Sequence, residues 1–192
     1  KDATRVQAIG QRIAVAANQP NYKWEFNLVD DNQANAFCLP GGKVVVYTGI
    51  LKYAKNDDQL ATVISHEVAH ALARHGAERV TQGMIQQGVG LIGSVAVAAT
   101  APQYQNAFNQ AYGLGSNLGV MLPYGRMQET EADEIGIYLM HKAGYNVNEA
   151  TKFWENMSEG KSGGNDCVST HPSSKNRTKD IQTVINKIGN EA

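Results

Sequence analysis

The sequence predicts an α+β fold that is mostly helical, with a small β-sheet set against one buried helix. Three patterns carry this prediction. Apolar residues recur at helical spacing through most of the chain, short alternating stretches occur only before residue 48, and residues 60–72 are apolar on nearly every side. A helix of the last kind is normally buried. With 192 residues, 42% of them hydrophobic and 18% charged, the chain is long enough for one core, so residues 1–192 are expected to form a single domain.

Each element has its own signal. Val6, Ile9, Ile13 and Ala17 lie at helical spacing in residues 4–18, and Pro20 closes that helix. Residues 24–29 alternate as a strand does. Two further short strands are expected at 35–38 and 44–47, joined by a turn at Pro40-Gly41-Gly42. Asn56-Asp57-Asp58-Gln59 starts the buried helix, with Asn56 as N-cap, Gln59 in the capping-box position and two acids facing the positive end of the dipole. Arg74, His75 and Gly76 supply its stop signal. The rest is expected to be mainly helical: a glycine-rich apolar stretch, a polar segment at 103–117, a helix from 125 to 142 stopped by Gly144, another near 148–158 and a last one over 174–188. No internal repeat is visible.

Inside the buried helix stands His66-Glu67-Val68-Ala69-His70, an H-E-x-x-H pattern. At about 100° per residue, four steps return close to the same direction, so both imidazoles project from one face and can share a metal ion. Glu67 falls beside that stripe, placed to hold water without being a ligand. Zinc suits such a set because it takes nitrogen and oxygen donors in a tetrahedral shell and, in catalytic sites, keeps one position for water. The alternative is two core histidines bonded to backbone, with Glu67 in an ion pair.

A third donor comes from residues 125–134, where four acids lie within six residues. Glu129 and Asp133 share a face that continues along Gly136 and Met140, whereas Glu131 and Glu134 point elsewhere. Glu129 is therefore expected to bind the metal, and Asp133 to accept a hydrogen bond from a ligand histidine, fixing its tautomer. The alternative for these acids is a solvated helix start stabilised by the dipole. His75 and His141 are expected at helix ends or on the surface. The net charge of −1 gives no electrostatic case for nucleic acid, which calls for a basic patch.

Four blocks in order resemble zinc metallopeptidase family forty-eight, the HtpX-like, Oma-type and type-1 CAAX prenyl protease group, here as a soluble bacterial member. They are residues 35–51, the metal-helix stretch 65–75, the E-x-x-x-D of Glu129 and Asp133, and Ser169-Thr170-His171-Pro172-Ser173-Ser174 followed by Arg177. The similarity runs from about residue 24 to 188. It implies a zincin-like (gluzincin) domain, one zinc ion per chain on His66, His70 and Glu129, and Glu67 as general base. The implied function is endopeptidase hydrolysis of polypeptides, misfolded or envelope proteins, by metal-held water that Glu67 activates.

The resemblance also places Asn35-Ala36-Phe37 as a sheet edge that binds substrate as an added strand, although Phe37 can equally be core. His171 is expected to face the cleft, bonding the tetrahedral intermediate or taking the open zinc position at rest. Arg177 is expected to stabilise the oxyanion. A loop histidine and a surface arginine are the alternatives. The resemblance brings Cys38 and Cys167 to the same cleft, so they are expected to form a disulfide in an exported protein and to stay free thiols in a reducing compartment.

Residues 83–101 are apolar, but the uninterrupted run is shorter than the roughly 20 residues of a spanning helix. A glycine-rich flap or helical hairpin over the cleft is expected, with peripheral membrane contact as the alternative that membrane-embedded relatives suggest. A start at Lys1-Asp2 suggests a fragment or mature form, and family similarity implies a periplasmic or outer-membrane-associated protein. Two other functions compete: a zinc-containing chaperone-like or binding protein with a closed site, and a metal-dependent hydrolase of small amides.

Overall fold

The computed structural model describes residues 1–39, 41–75, 124–160, 171 and 176–191. Helix α1 (Asp2–Ala17) buries Val6, Ile9 and Ile13 on one face, and Asn18 ends it in the left-handed conformation at φ 49°. The sequence continues into β1 (Glu25–Val29), β2 (Ala36–Leu39) and β3 (Lys43–Tyr47). The sheet order is β1-β3-β2, with β1 parallel to β3 and β2 antiparallel to it, so β2 stands at an edge of the sheet. Gly41 and Gly42 both have positive φ, 94° and 102°, which lets the chain reverse between β2 and β3.

Gly10 sets how closely α1 lies on the sheet. A Cβ there would meet the Phe26 ring at 2.2 Å, so no larger residue fits between α1 and β1. The inner face of the sheet contributes Phe26, Ala36, Cys38, Val44 and Val46 to the core. A 3-10 turn (Thr48–Lys52) then leads into α2 (Asp57–Leu72). Every residue from Gln59 to His70 in α2 is buried, as its all-round apolar character requires.

Among the described residues, three more helices close the core. They are α3 (Arg126–Lys142), α4 (Glu149–Glu159) and α5 (Arg177–Glu191). Helix α3 crosses α2 at Gly136, where a Cβ would lie 3.3 Å from the His66 nitrogen. Phe153 and Met157 of α4, with Ile181, Ile185 and Ile188 of α5, pack into the same core.

Several details differ from the sequence expectation. The capping box is displaced: Asn56 accepts from the Gln59 N–H, but Gln59 Oε1 accepts from the Lys55 N–H, and Gln59 Nε2 donates to Glu149. The buried Glu149 carboxylate draws the amide away from the helix start. Helix α2 stops before its glycine, because Arg74 takes the left-handed conformation at φ 59°. The parallel β1–β3 pairing has no counterpart among the local sequence signals. No described helix is long and apolar enough to cross a membrane. The expectations for residues 83–101, for the polar segment and for the Ser173-Ser174 helix start lie outside the described residues.

Candidate metal centre

Helix α2 presents His66 and His70 on one face, and the close crossing at Gly136 brings Glu129 of α3 up to them. His66 Nε2 lies 3.0 Å from His70 Nε2 and 3.2 Å from Glu129 Oε2, while His70 Nε2 lies 3.0 Å from Glu129 Oε1. His171 joins from the segment before α5, with Nδ1 2.9 Å from Glu129 Oε1 and 3.4 Å from His66 Nε2. One donor atom from each of these four buried residues lies within 4.8 Å of the others. Three imidazole nitrogens and a carboxylate oxygen converge on one point, an arrangement that suits a shared cation. The set of two imidazoles and a carboxylate matches a catalytic zinc shell.

The outward nitrogen of His66 faces a carboxylate. Its Nδ1 lies 2.9 Å from Asp133 Oδ1. Arg177 holds Asp133 by two hydrogen bonds, Nε to Oδ2 at 2.8 Å and Nη2 to Oδ1 at 2.7 Å, and Nη2 also reaches Glu129 Oε2 at 3.3 Å. The Trp154 ring lies 3.3 Å from the guanidinium carbon, a cation–π contact that backs the arginine. Arg177, which the sequence assigns to the oxyanion, has its guanidinium engaged with the two carboxylates and is buried rather than a surface arginine.

Electrostatics follow from this packing. Burial works against a charged His66, yet the Glu129 charge and the Asp133 contact overcome it and raise the imidazole to about 10. Burial pushes His70 down to about 2, although the Glu129 contact pulls the other way. Burial alone would raise the Glu129 carboxyl, but His66, with His171 and His70, holds it well below the carboxylate range. Asp133 is held down in the same way, burial being outweighed by Arg177 and His66. Glu129 and Asp133 are therefore held ionised beside His66.

Glu67, only 2% exposed, has Oε1 3.5 Å from His171 Nε2. His171 Nε2 also lies 3.3 Å from the Ala36 carbonyl oxygen, so the Asn35-Ala36-Phe37 edge runs beside the donor cluster. Phe37 is half-buried and meets Tyr47 edge-on, on the opposite face of β2 from Ala36 and Cys38. Cys38, expected to pair with Cys167, is a free buried thiol, with Sγ 3.4 Å from the Leu39 carbonyl. Burial and then the Glu67 charge push that thiol up. Cys167 lies outside the described residues.

Two residues of the site escaped sequence reasoning. Tyr124 stacks on His70 with ring centroids 3.8 Å apart, and no spacing rule marks it. His75, expected at a helix end or surface, is buried with Nδ1 3.0 Å from His70 Nδ1. Five helical steps would carry it off the His70 face. The left-handed turn at Arg74 brings it back, and backbone of that kind on an arginine is not legible in sequence.

Two histidines of one helix, a carboxylate of another and a mixed sheet edge alongside define a zincin-like arrangement. The chain belongs to peptidase family M48, whose model matches residues 1–185. It is 39% identical over 180 residues to the mitochondrial metalloendopeptidase OMA1 of Schizosaccharomyces pombe, covering 92% of this chain and 51% of that protein. The Arabidopsis thaliana protein of that name is 40% identical over 169 residues, 86% of this chain and 32% of the relative. The beta-barrel assembly-enhancing protease of Escherichia coli K12 is 29% identical over 189 residues, 95% of this chain and 39% of the relative. The chain thus spans about a third to a half of these relatives.

Proposed function

We propose that this chain is a zinc-dependent endopeptidase domain over residues 1–192, acting on polypeptides. The observation that carries the reading is the convergence of His66, His70 and Glu129, with Glu67 buried beside them. In this reading those three residues hold the metal and Asp133 orients His66. A bound zinc ion supplies Lewis acidity, lowering the pKa of water to about 7 and polarising the scissile carbonyl. Glu67 takes the proton of the attacking water and delivers it to the leaving nitrogen. The edge of β2 at Asn35-Ala36-Phe37 receives the substrate as an added strand through main-chain hydrogen bonds.

His171 sits where it can hydrogen-bond the reacting carbonyl oxygen or serve as a fourth donor. Arg177 contributes through Asp133 and Glu129, keeping both ionised and in place. Misfolded or envelope proteins in the periplasm or at the outer membrane are the proposed substrates. Support comes from the bacterial relative, whose name refers to β-barrel assembly.

The proximity of His171 to the cluster favours a second reading, a closed zinc site in a chaperone-like protein. Digestion of an unfolded polypeptide separates the two. Glu67→Gln should keep the metal and lose hydrolysis. Wild-type protein that retains one zinc ion and cuts no peptide in an unbiased library would overturn the peptidase reading.

A further inference from the structure

We propose that His75 and Glu131 form an orienting relay behind His70, fixing the tautomer in which His70 offers Nε2 to the metal. The inference rests on the reading of His70 as a ligand. His70 Nδ1 lies 3.0 Å from His75 Nδ1, and His75 Nε2 lies 3.0 Å from Glu131 Oε2. Two facing ring nitrogens share one proton, so either can be the donor, and the carboxylate decides which. An ionised Glu131 only accepts, which puts the proton of His75 on Nε2. His75 Nδ1 then carries a lone pair and accepts from His70 Nδ1–H. That leaves the His70 lone pair on Nε2, the atom 3.0 Å from Glu129 Oε1.

The reverse order would set a His75 lone pair against the carboxylate and turn an N–H of His70 into the donor cluster. Hydrogen-bond balance therefore selects one arrangement of all four ring nitrogens. Tyr124 covers the pair, stacked on His70 and 6.3 Å from His75 between centroids. His75 is 2% exposed, so no abundant solvent competes for its nitrogens.

The two ligand histidines are thus held differently. The orienting carboxylate of His66 is Asp133, nearly buried and clamped by Arg177. The orienting carboxylate of His70 acts through a second imidazole and ends at Glu131, whose side chain is 58% exposed. His75 and Glu131 are positioning residues, because neither reaches the donor cluster.

The test uses the full chain loaded with zinc, and in parallel with cobalt. Transfer of zinc to a chromophoric chelator reads retention, and the cobalt visible spectrum reads ligand geometry. Partners of this kind typically change metal affinity by about 10- to 100-fold. His75→Phe should weaken retention by that order and alter the cobalt spectrum. His75→Gln, whose amide oxygen can accept from His70 Nδ1–H, should recover most of the loss. Glu131→Ala should weaken retention by several-fold and Glu131→Gln by less, and these exposed substitutions remain informative if His75→Phe fails to fold.

His70→Ala separates the two claims. If it loses zinc while His75→Phe and Glu131→Ala both match wild type, the relay is wrong and the ligand reading stands. If His70→Ala itself retains zinc as wild type does, the ligand reading falls.

Discussion

Gly136 of α3 touches the backbone of His66 on α2, where an added Cβ would sit 3.3 Å from the His66 nitrogen and 3.4 Å from its Cα. Backbone cannot swing aside as a side chain can, so bulk at position 136 must push the helices apart and carry Glu129 with α3. Gly136→Val should cost about 1–3 kcal/mol by overpacking, measured by chemical denaturation, and weaken zinc retention as well. Unchanged retention would show that helix spacing does not set the donor cluster.

Asp133 and Arg177 should behave as a unit. Asp133→Ala and Arg177→Ala each remove the support of His66, so the second change should add little to the first. A double-mutant cycle on zinc affinity should give a coupling energy within about 0.5–3 kcal/mol. Strict additivity would mean that the arginine acts elsewhere.

Removing the metal should lower the melting temperature. His66 and His70 come from α2 and Glu129 from α3, so an ion bound to all three crosslinks two helices of the core. An ion in hundredfold excess over its Kd adds about 2.7 kcal/mol to stability. Calorimetry with and without chelator checks this, and the shift should vanish in Glu129→Ala.

Glu149 predicts how acid acts on the fold. Its carboxylate accepts from Lys152, Asn56 Nδ2 and Gln59 Nε2, contacts that lower it from 4.5 to about 2. Because its folded-state pKa is depressed, the stability it contributes is complete above the unfolded value of 4.5. It fades as the pH falls toward 2. Glu149→Gln should therefore be less stable than wild type at pH 7, by about 2 kcal/mol for a lost charge-assisted hydrogen bond. Melting curves should show the gap narrowing through that acid window.

Cys38 should resist alkylation in the folded protein, since burial and the Glu67 charge both oppose its thiolate. Mass spectrometry after iodoacetamide treatment should find it modified only once the chain is unfolded without reductant. A residue that stays unmodified then would be bridged.

How far the sequence anticipates this structure depends on the range of each interaction. Helix α2 and its cap at Asn56 follow from spacing alone, because the 3.6-residue period and the N-cap are local rules. Glu129 and Asp133 share a face for the same reason, and both turn toward the α2 histidines. The pairing of β1 with β3 is not local, and nothing in either strand specifies its partner. His75 and Tyr124 were hidden for a related reason: one depends on the backbone angle at Arg74, the other on stacking between distant segments. Arg177 was singled out in sequence, but its grip on Asp133 spans 44 residues and no periodicity reports it.

Charge gives the buried cluster a preference for cations. The side chains of Glu129 and Asp133 lie at most 10% exposed, and among the described residues Arg177 is the guanidinium that reaches both. With the imidazoles neutral, as lone-pair donation requires, that trio leaves one negative charge for a bound ion to offset. An anion in its place would add to that charge in an interior where desolvation costs several kcal/mol.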